Sequence, residues 1–159
     1  MSMLRSGLLA IGLSLLAAAP ALAERTEDRE AIEALMWRYA RALDTANADA
    51  YAACYTEDGE FVAGANPTKG REALHAMIAG FAAGRNSANP PAQLYHMTAD
   101  SWIEFIDDTH AVHHSYWLTM RAAGGDTPAG VAAVGVGRDE LTKVGGQWLI
   151  QRRNVNADQ

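Results

Sequence analysis

The sequence predicts an α+β fold, with helices first and antiparallel strands after them. Two observations carry this. Ala31, Ile32, Leu35, Met36, Tyr39 and Leu43 recur at three- and four-residue steps, the spacing of one helical face. From residue 92 onward the pattern changes to strand-like runs, punctuated by Asp107-Asp108 and Gly145-Gly146 turns. Helices followed by a meander of strands mark an α+β domain rather than alternating βαβ units.

The elements follow in order. Arg5, the apolar run from Leu8 to Ala19 and the small-x-small site Ala21-Leu22-Ala23 read as a secretory signal over residues 1–23. The run is short for a membrane span and is broken by Gly12 and Ser14. No Cys follows the site, which argues against lipid attachment there. The expectation is a mature domain over 24–159, periplasmic or secreted, without stable membrane insertion after cleavage. A first helix is predicted over 24–43, with Thr26, Glu27 and Asp28 suited to its start. Asp44 suits a helix end, and Asn47 or Asp49 can cap a short second helix. Thr56-Glu57-Asp58-Gly59 reads as a turn, and 60–63 as a short strand. A third helix covers 71–83 and stops at Gly84. A proline-bearing loop covers 86–91. Strands are predicted over 94–106, 109–121, 131–144 and 147–155, with a Gly-rich link over 122–130.

Composition excludes several function classes. Thirteen basic residues against nineteen acidic ones give a net charge of −6, which argues against nucleic acid as a partner. Cys54 is the single cysteine, so no intrachain disulfide is possible, and it reads as a small core residue. His75, His96, His110, His113 and His114 lack zinc-site spacing. Gly135-Val136-Gly137 sits in a strand with no helix after it, so it is no nucleotide fingerprint. Neither metal nor cofactor is expected.

Several motifs carry a resemblance when taken together and in order. They are Tyr39-x4-Asp44, Asp49-Ala50-Tyr51, Tyr55-Thr56-Glu57-Asp58-Gly59-Glu60-Phe61, Lys69-Gly70-Arg71-Glu72-Ala73-Leu74, His96-x3-Asp100, Asp107-Asp108-Thr109-His110-Ala111, and Gly146-Gln147-Trp148-x4-Arg153-x-Val155. Through them nearly all of the mature chain resembles the SnoaL-like branch of the nuclear transport factor 2-like superfamily. The resemblance implies a cone: a curved mixed sheet wrapped around three N-terminal helices, with a pocket at the open end. It also implies a homodimer, here placed on the outer sheet face near Tyr116 and Leu118.

The resemblance further implies chemistry. Related dehydratases and isomerases place an Asp from the first helix and a His from the first long strand in one pocket, positions matched by Asp44 and His96. A carboxylate beside an imidazole fixes its tautomer and makes it a better base. Such a pair can take a proton next to a carbonyl and return it to a leaving hydroxyl. Tyr39 and Arg153 match a further Tyr and Arg that would bind a substrate oxygen. The chain also departs from these enzymes. Scytalone dehydratase carries a second His near the position of Thr119 or Arg121 and polar residues near Gly135 and Gly137, the bile acid enzyme carries an acid near Thr119, and none of these is present here.

The residues themselves leave alternatives open. Tyr39 lies on the apolar stripe, as a core Tyr would. Asp44 is about 140° from Tyr39 around an ideal helix, so both reach one cavity only if the helix end turns toward it. His96 also suits a structural place at a strand start, and either Arg152 or Arg153 faces inward. A two-residue turn at Asp107-Asp108 sets His96 opposite Thr119 and Trp102 opposite His113. Side-chain alternation then makes Trp102, His113, Trp117 and Thr119 pocket-lining candidates. His113 lies roughly 20 Å along the strand from Thr119, too far to join His96, and either lines the deep pocket or is a buried structural His.

Two functions compete: a cofactor-independent lyase or isomerase for a small, mostly apolar carbonyl compound, and a non-catalytic module binding a small ligand or a protein in the same pocket. An open pocket with Asp44 on His96 favours the first. A pocket filled by Trp102, Trp117 and Met97 favours the second. For processing, the expected outcome is cleavage after Ala23. Intact-mass measurement on protein recovered from the periplasm or medium checks it, and a mass that includes residues 1–23 refutes it.

Overall fold

The computed structural model describes residues 14–87, 93–124 and 128–158, with side chains described from Arg25 onward except those of 85–87. The expected signal therefore lies partly outside the described residues, as do most of the loop over 86–91 and the middle of the link over 122–130. Helix α1 spans Ser14–Thr45, α2 Ala48–Ala52 and α3 Arg71–Ser87. The strands are β1 Tyr55–Val62, β2 Thr68–Lys69, β3 Leu94–Phe105, β4 His110–Arg121, β5 Gly130–Val144 and β6 Gln147–Asn154. They form one open sheet in the order β2-β1-β6-β5-β4-β3. It is mixed because β1 runs parallel to β6 while the other pairs are antiparallel. The three helices fill its concave side, as the cone requires. Among the described residues no helix is long and apolar enough to cross a membrane.

The predicted stripe of α1 is buried at Ile32, Leu35, Met36 and Tyr39, while Leu43 is half-buried and Ala31 exposed; Ala42, outside the predicted stripe, is buried as well. The buried residues pack with Tyr51, Tyr55, Leu74, Ile78, Leu141, Trp148 and Ile150 in one core. Helix α1 starts ten residues earlier than predicted, at Ser14. It ends one residue past Asp44, where Ala46 turns left-handed at φ 50°. Asn47, not Asp49, caps α2 by accepting the Ala50 N–H at 3.0 Å.

Three further boundaries differ from expectation. The Thr56–Gly59 segment is strand, not turn, with a pairing irregularity between Tyr55 and Glu60. A Cβ on Gly59 would lie 2.9 Å from the Tyr55 Cβ and 3.0 Å from the Ile150 carbonyl, so glycine is needed for close approach inside β1. Helix α3 runs through Gly84 to Ser87. One helical glycine costs only about 1 kcal/mol, and it caps a helix only where the chain turns left-handed.

The third difference moves side chains. The β3–β4 loop is longer than a two-residue turn. Phe105 pairs with Ala111, and Asp107 Oδ1 accepts the backbone N–H groups of Thr109 at 2.7 Å and His110 at 2.8 Å. These bonds, the Thr109 N–H foremost, hold the Asp107 carboxyl down at about 2. The register near the loop is thereby shifted by one residue, and Trp102 pairs with His114, not His113. A bulge between Ala99 and Trp102, with Asp100 at φ 44°, absorbs the shift. Beyond it His96 lies opposite Thr119 as predicted.

Helix α1 is pinned to the sheet by a buried polar cluster. Asp28 accepts the Trp148 indole N–H at 2.8 Å and pairs with Lys143 at 2.7 Å. Burial alone would raise the Asp28 carboxyl, but the bonds from Lys143 and Trp148 outweigh it and hold it below the ordinary carboxylate value. A lowered folded value gives stabilisation that is complete above the unfolded value and lost as pH falls through the folded one. Asp28→Asn should therefore cost about 1–3 kcal/mol at pH 7. The gap to wild type should close below about pH 4. Urea melts at pH 7 and pH 3 check this, and an unchanged gap at pH 3 refutes it.

Candidate active site

A cavity of about 310 Å³ opens between the helices and the concave sheet face. Its walls are mostly apolar, with Leu43 of α1, Met77 and Phe81 of α3, Phe61 of β1, and Trp117 of β4 among them. Its polar side chains are Tyr39, Tyr51, His96, Thr98, Thr119 and Arg153.

His96 enters from the start of β3, and Asp44 stands behind it rather than in the cavity wall. One carboxylate oxygen of Asp44, Oδ1, accepts both the His96 backbone N–H at 2.8 Å and the ring Nδ1 at 2.9 Å. The other oxygen faces Arg41 Nη1 at 3.3 Å. Asp44 is buried, and the imidazole is partly open to solvent. A carboxylate on Nδ1 places the proton there, which leaves Nε2 as the acceptor. No described residue is hydrogen-bonded to Nε2. Tyr39 and Asp44 thus reach one cavity without sharing a helix face: Tyr39 lines it directly, and Asp44 contacts His96 behind its wall.

At the other end three tyrosines pack with their rings tilted or edge-on to one another. Tyr39, Tyr51 and Tyr55 have ring centroids 5.2–6.3 Å apart, and the hydroxyls of Tyr51 and Tyr55 are 2.9 Å apart. Burial pushes the Tyr51 and Tyr55 phenols well above their ordinary value, so both stay protonated. The Arg153 guanidinium lies over the Tyr39 ring, 4.3 Å from its centroid. Arg153, not Arg152, faces inward, being 3% exposed. Its Nη1 donates to Asp139 Oδ2, which also meets His113 Nδ1 at 3.0 Å. Burial disfavours the Arg153 charge, but the facing Asp139 carboxylate outweighs it and holds the group above its ordinary value. Asp139 was not among the residues singled out from sequence. Its signal was there: a charged residue at the inward parity of β5, between Gly137 and Leu141 and in register with Arg153.

Of the four pocket-lining candidates, Trp117 and Thr119 line the cavity, while Trp102 and His113 do not. Trp102 stands on the outer face, 58% exposed and stacked on His114 at 4.9 Å. A one-residue register shift exchanges the faces of a strand, and Ile103 takes the inward place opposite His113. His113 keeps its inward parity but is buried against Asp139, behind the cavity wall. Trp117 is fixed by its indole N–H, which donates to the Val155 carbonyl at 2.9 Å. A Cβ on Gly135 would lie 2.6 Å from its ring. The glycine that replaces a polar residue here makes room for this aromatic wall.

Cys54 is buried, donates to the Ala50 carbonyl at 3.3 Å, and has its thiol pushed up by burial. That is a core residue rather than a nucleophile. Among the described residues no group of three His, Cys, Asp or Glu side chains is placed to hold a metal ion.

This cone with a half-open cavity defines the class, and sequence comparison agrees. The SnoaL-like domain model matches residues 24–154. The chain therefore belongs to the SnoaL-like family, within the nuclear transport factor 2-like superfamily. No curated protein sequence matches it. Among solved structures it is similar to a variant of Rv3472, a protein of unknown function from Mycobacterium tuberculosis, with 27% identity and a TM-score of 0.73 over 85% of this chain and 74% of that one. It is also similar to an NTF2-like protein with a cystatin-like fold from Novosphingobium aromaticivorans, at 25% identity and TM-score 0.72 over 93% of this chain and 90% of that one. A candidate scytalone dehydratase from the same organism shares 26% identity and a TM-score of 0.70, covering 84% of this chain and 85% of that one.

Proposed function

We propose that this protein is a cofactor-independent lyase or isomerase acting on a small, mostly apolar carbonyl compound, with Asp44 and His96 as its acid–base pair. The observation that carries the reading is Asp44 Oδ1 held by the backbone N–H and the ring Nδ1 of His96 while the imidazole lines an apolar cavity. His96 Nε2 takes a proton from the carbon next to the carbonyl, and the electron pair moves onto the carbonyl oxygen as an enolate. Tyr39 and Arg153, at the other end, supply donors for that oxygen. The imidazolium then gives its proton to a hydroxyl that leaves as water, or to another carbon of the enolate. The first outcome is dehydration and the second isomerisation. The kinship with a candidate scytalone dehydratase is consistent with the first. Of the three side chains expected to fill the pocket of a non-catalytic module, Trp102 stands outside it, while Trp117 and Met97 line a cavity that stays open.

Asp44→Asn and His96→Gln should each lower turnover by about two to four orders of magnitude, the scale of a general acid–base group. The double variant should lose little more, because the pair acts as a unit. Steady-state kinetics on these three variants, with thermal melts as a folding control, decides the matter. Folded variants with near wild-type turnover remove both residues from the mechanism.

The same reading places the protein in the periplasm or outside the cell, on the strength of Ala21-Leu22-Ala23 and the apolar run before it. It also makes the protein a homodimer through the outer sheet face, where Tyr116, Trp102 and Val134 are about 60% exposed or more. Leu118 is half-buried and touches the cavity mouth, so Tyr116 is the better marker of that face. Light scattering at micromolar concentration should give twice the mature mass, and Tyr116→Asp should halve it. A wild-type monomer overturns the dimer.

A further inference from the structure

The buried charge at the tyrosine end of the cavity is already balanced inside the protein. Arg153 lines the cavity and is 3% exposed, and Asp139 beneath it is fully buried. Asp139 is the one carboxylate in contact with Arg153 among the described residues. It does not line the cavity, so a ligand meets the cation and not its counter-ion. The other group on Asp139 is His113, whose Nδ1–H donates to the same oxygen at 3.0 Å. With a neutral imidazole this cluster sums to zero charge.

That balance has a consequence for the ligand. A carbonyl oxygen accepts a hydrogen bond without adding charge. A carboxylate placed against Arg153 adds a second anion to a buried pair that has only one cation, and buried unpaired charge is costly. An arginine without a counter-ion favours carboxylates through two parallel N–H bonds, and here Asp139 already occupies Nη1.

We propose that Asp139 is a specificity-determining residue: by neutralising Arg153 from behind, it makes the cavity select neutral carbonyl compounds and reject carboxylic acids of the same shape. This rests on the assignment of the cavity as a carbonyl-binding active site. Asp139 itself does not touch the ligand.

Acetophenone and benzoate test the idea, since they have nearly the same shape and differ in charge. Binding is followed by NMR, using the backbone amides of His96 and Thr119, at pH 8, where an ordinary imidazole is neutral. Acetophenone should bind wild type at least about tenfold more tightly than benzoate, a lower bound set by the cost of one unpaired charge. Benzoate binding as tightly as acetophenone overturns the proposal. So does a failure of both probes to move the cavity amides at millimolar concentration.

An apolar cavity by itself also disfavours an anion, so variants separate the two causes. Asp139→Asn, or Asp139→Ser if the first does not fold, removes the counter-charge and should improve benzoate binding by about tenfold while changing acetophenone binding by less than about threefold. A folded variant with an unchanged preference overturns the role of Asp139. If neither variant folds in plain buffer, both are assayed in sucrose, which favours the folded state, and failure to fold even there makes Asp139 a stability residue and overturns its specificity role. No turnover is needed, so the outcome is separable from that of the Asp44 and His96 variants. Loss of the preference leaves their acid–base role intact, and active variants at those positions leave the preference intact.

Discussion

One buried carboxylate ties the inner sheet to the cavity. Asp139 on β5 meets His113 on β4 and Arg153 on β6, and Arg153 in turn lies over Tyr39 of α1. Three neighbouring strands and the main helix therefore converge on a single anion with 0% exposure. Removing one partner of such a cluster leaves a buried charge without compensation, which costs more than the pair itself contributes. The inward side chains around it have little freedom: Ser115 sits against Gly137, and Trp117 against Gly135. The apolar wall of the cavity and its cationic end are thus two sides of one packing solution.

The opposite end works by a different logic. Asp44 closes the last turn of α1 and receives two N–H groups of His96 at the start of β3. This joins helix and edge strand, and it also sets the tautomer of the imidazole. Arg41 takes the second oxygen at 3.3 Å but is about half exposed, so that pair contributes no more than about 1 kcal/mol. The weight of the Asp44 contact lies on the His96 side. The cavity between the two ends is bounded by Met and Phe side chains, which suit a small apolar ligand.

The helical core was legible because its signal is local. Every turn of α1 repeats the apolar stripe, so an error of a residue or two at either end leaves Ile32, Leu35, Met36 and Tyr39 inward. Strand faces are less forgiving. The choice between a two-residue and a longer loop at Asp107 moved Trp102 from the cavity to the outer surface, since a shift of one residue exchanges faces. His96 and Thr119 kept their pairing only because a bulge at Asp100 restored the register. The extension of α3 past Gly84 and of β1 back to Tyr55 also escaped local reading. In β1 the close packing at Gly59 overrode residues that usually mark a turn, and α3 continues because Gly84 makes no left-handed turn.

By itself the sequence determined the α+β class, the helical core stripe, the family, and the facing positions of His96 and Thr119, because periodicity and motif spacing are properties of neighbouring residues. Tertiary structure decided that Asp44 touches His96, and that Arg153 rather than Arg152 points inward. It also decided that Asp139 neutralises Arg153 and that Trp102 stays outside. Each of these depends on strand register and on contacts between residues far apart in the chain. Their energies are set only when the segments pack and water is excluded.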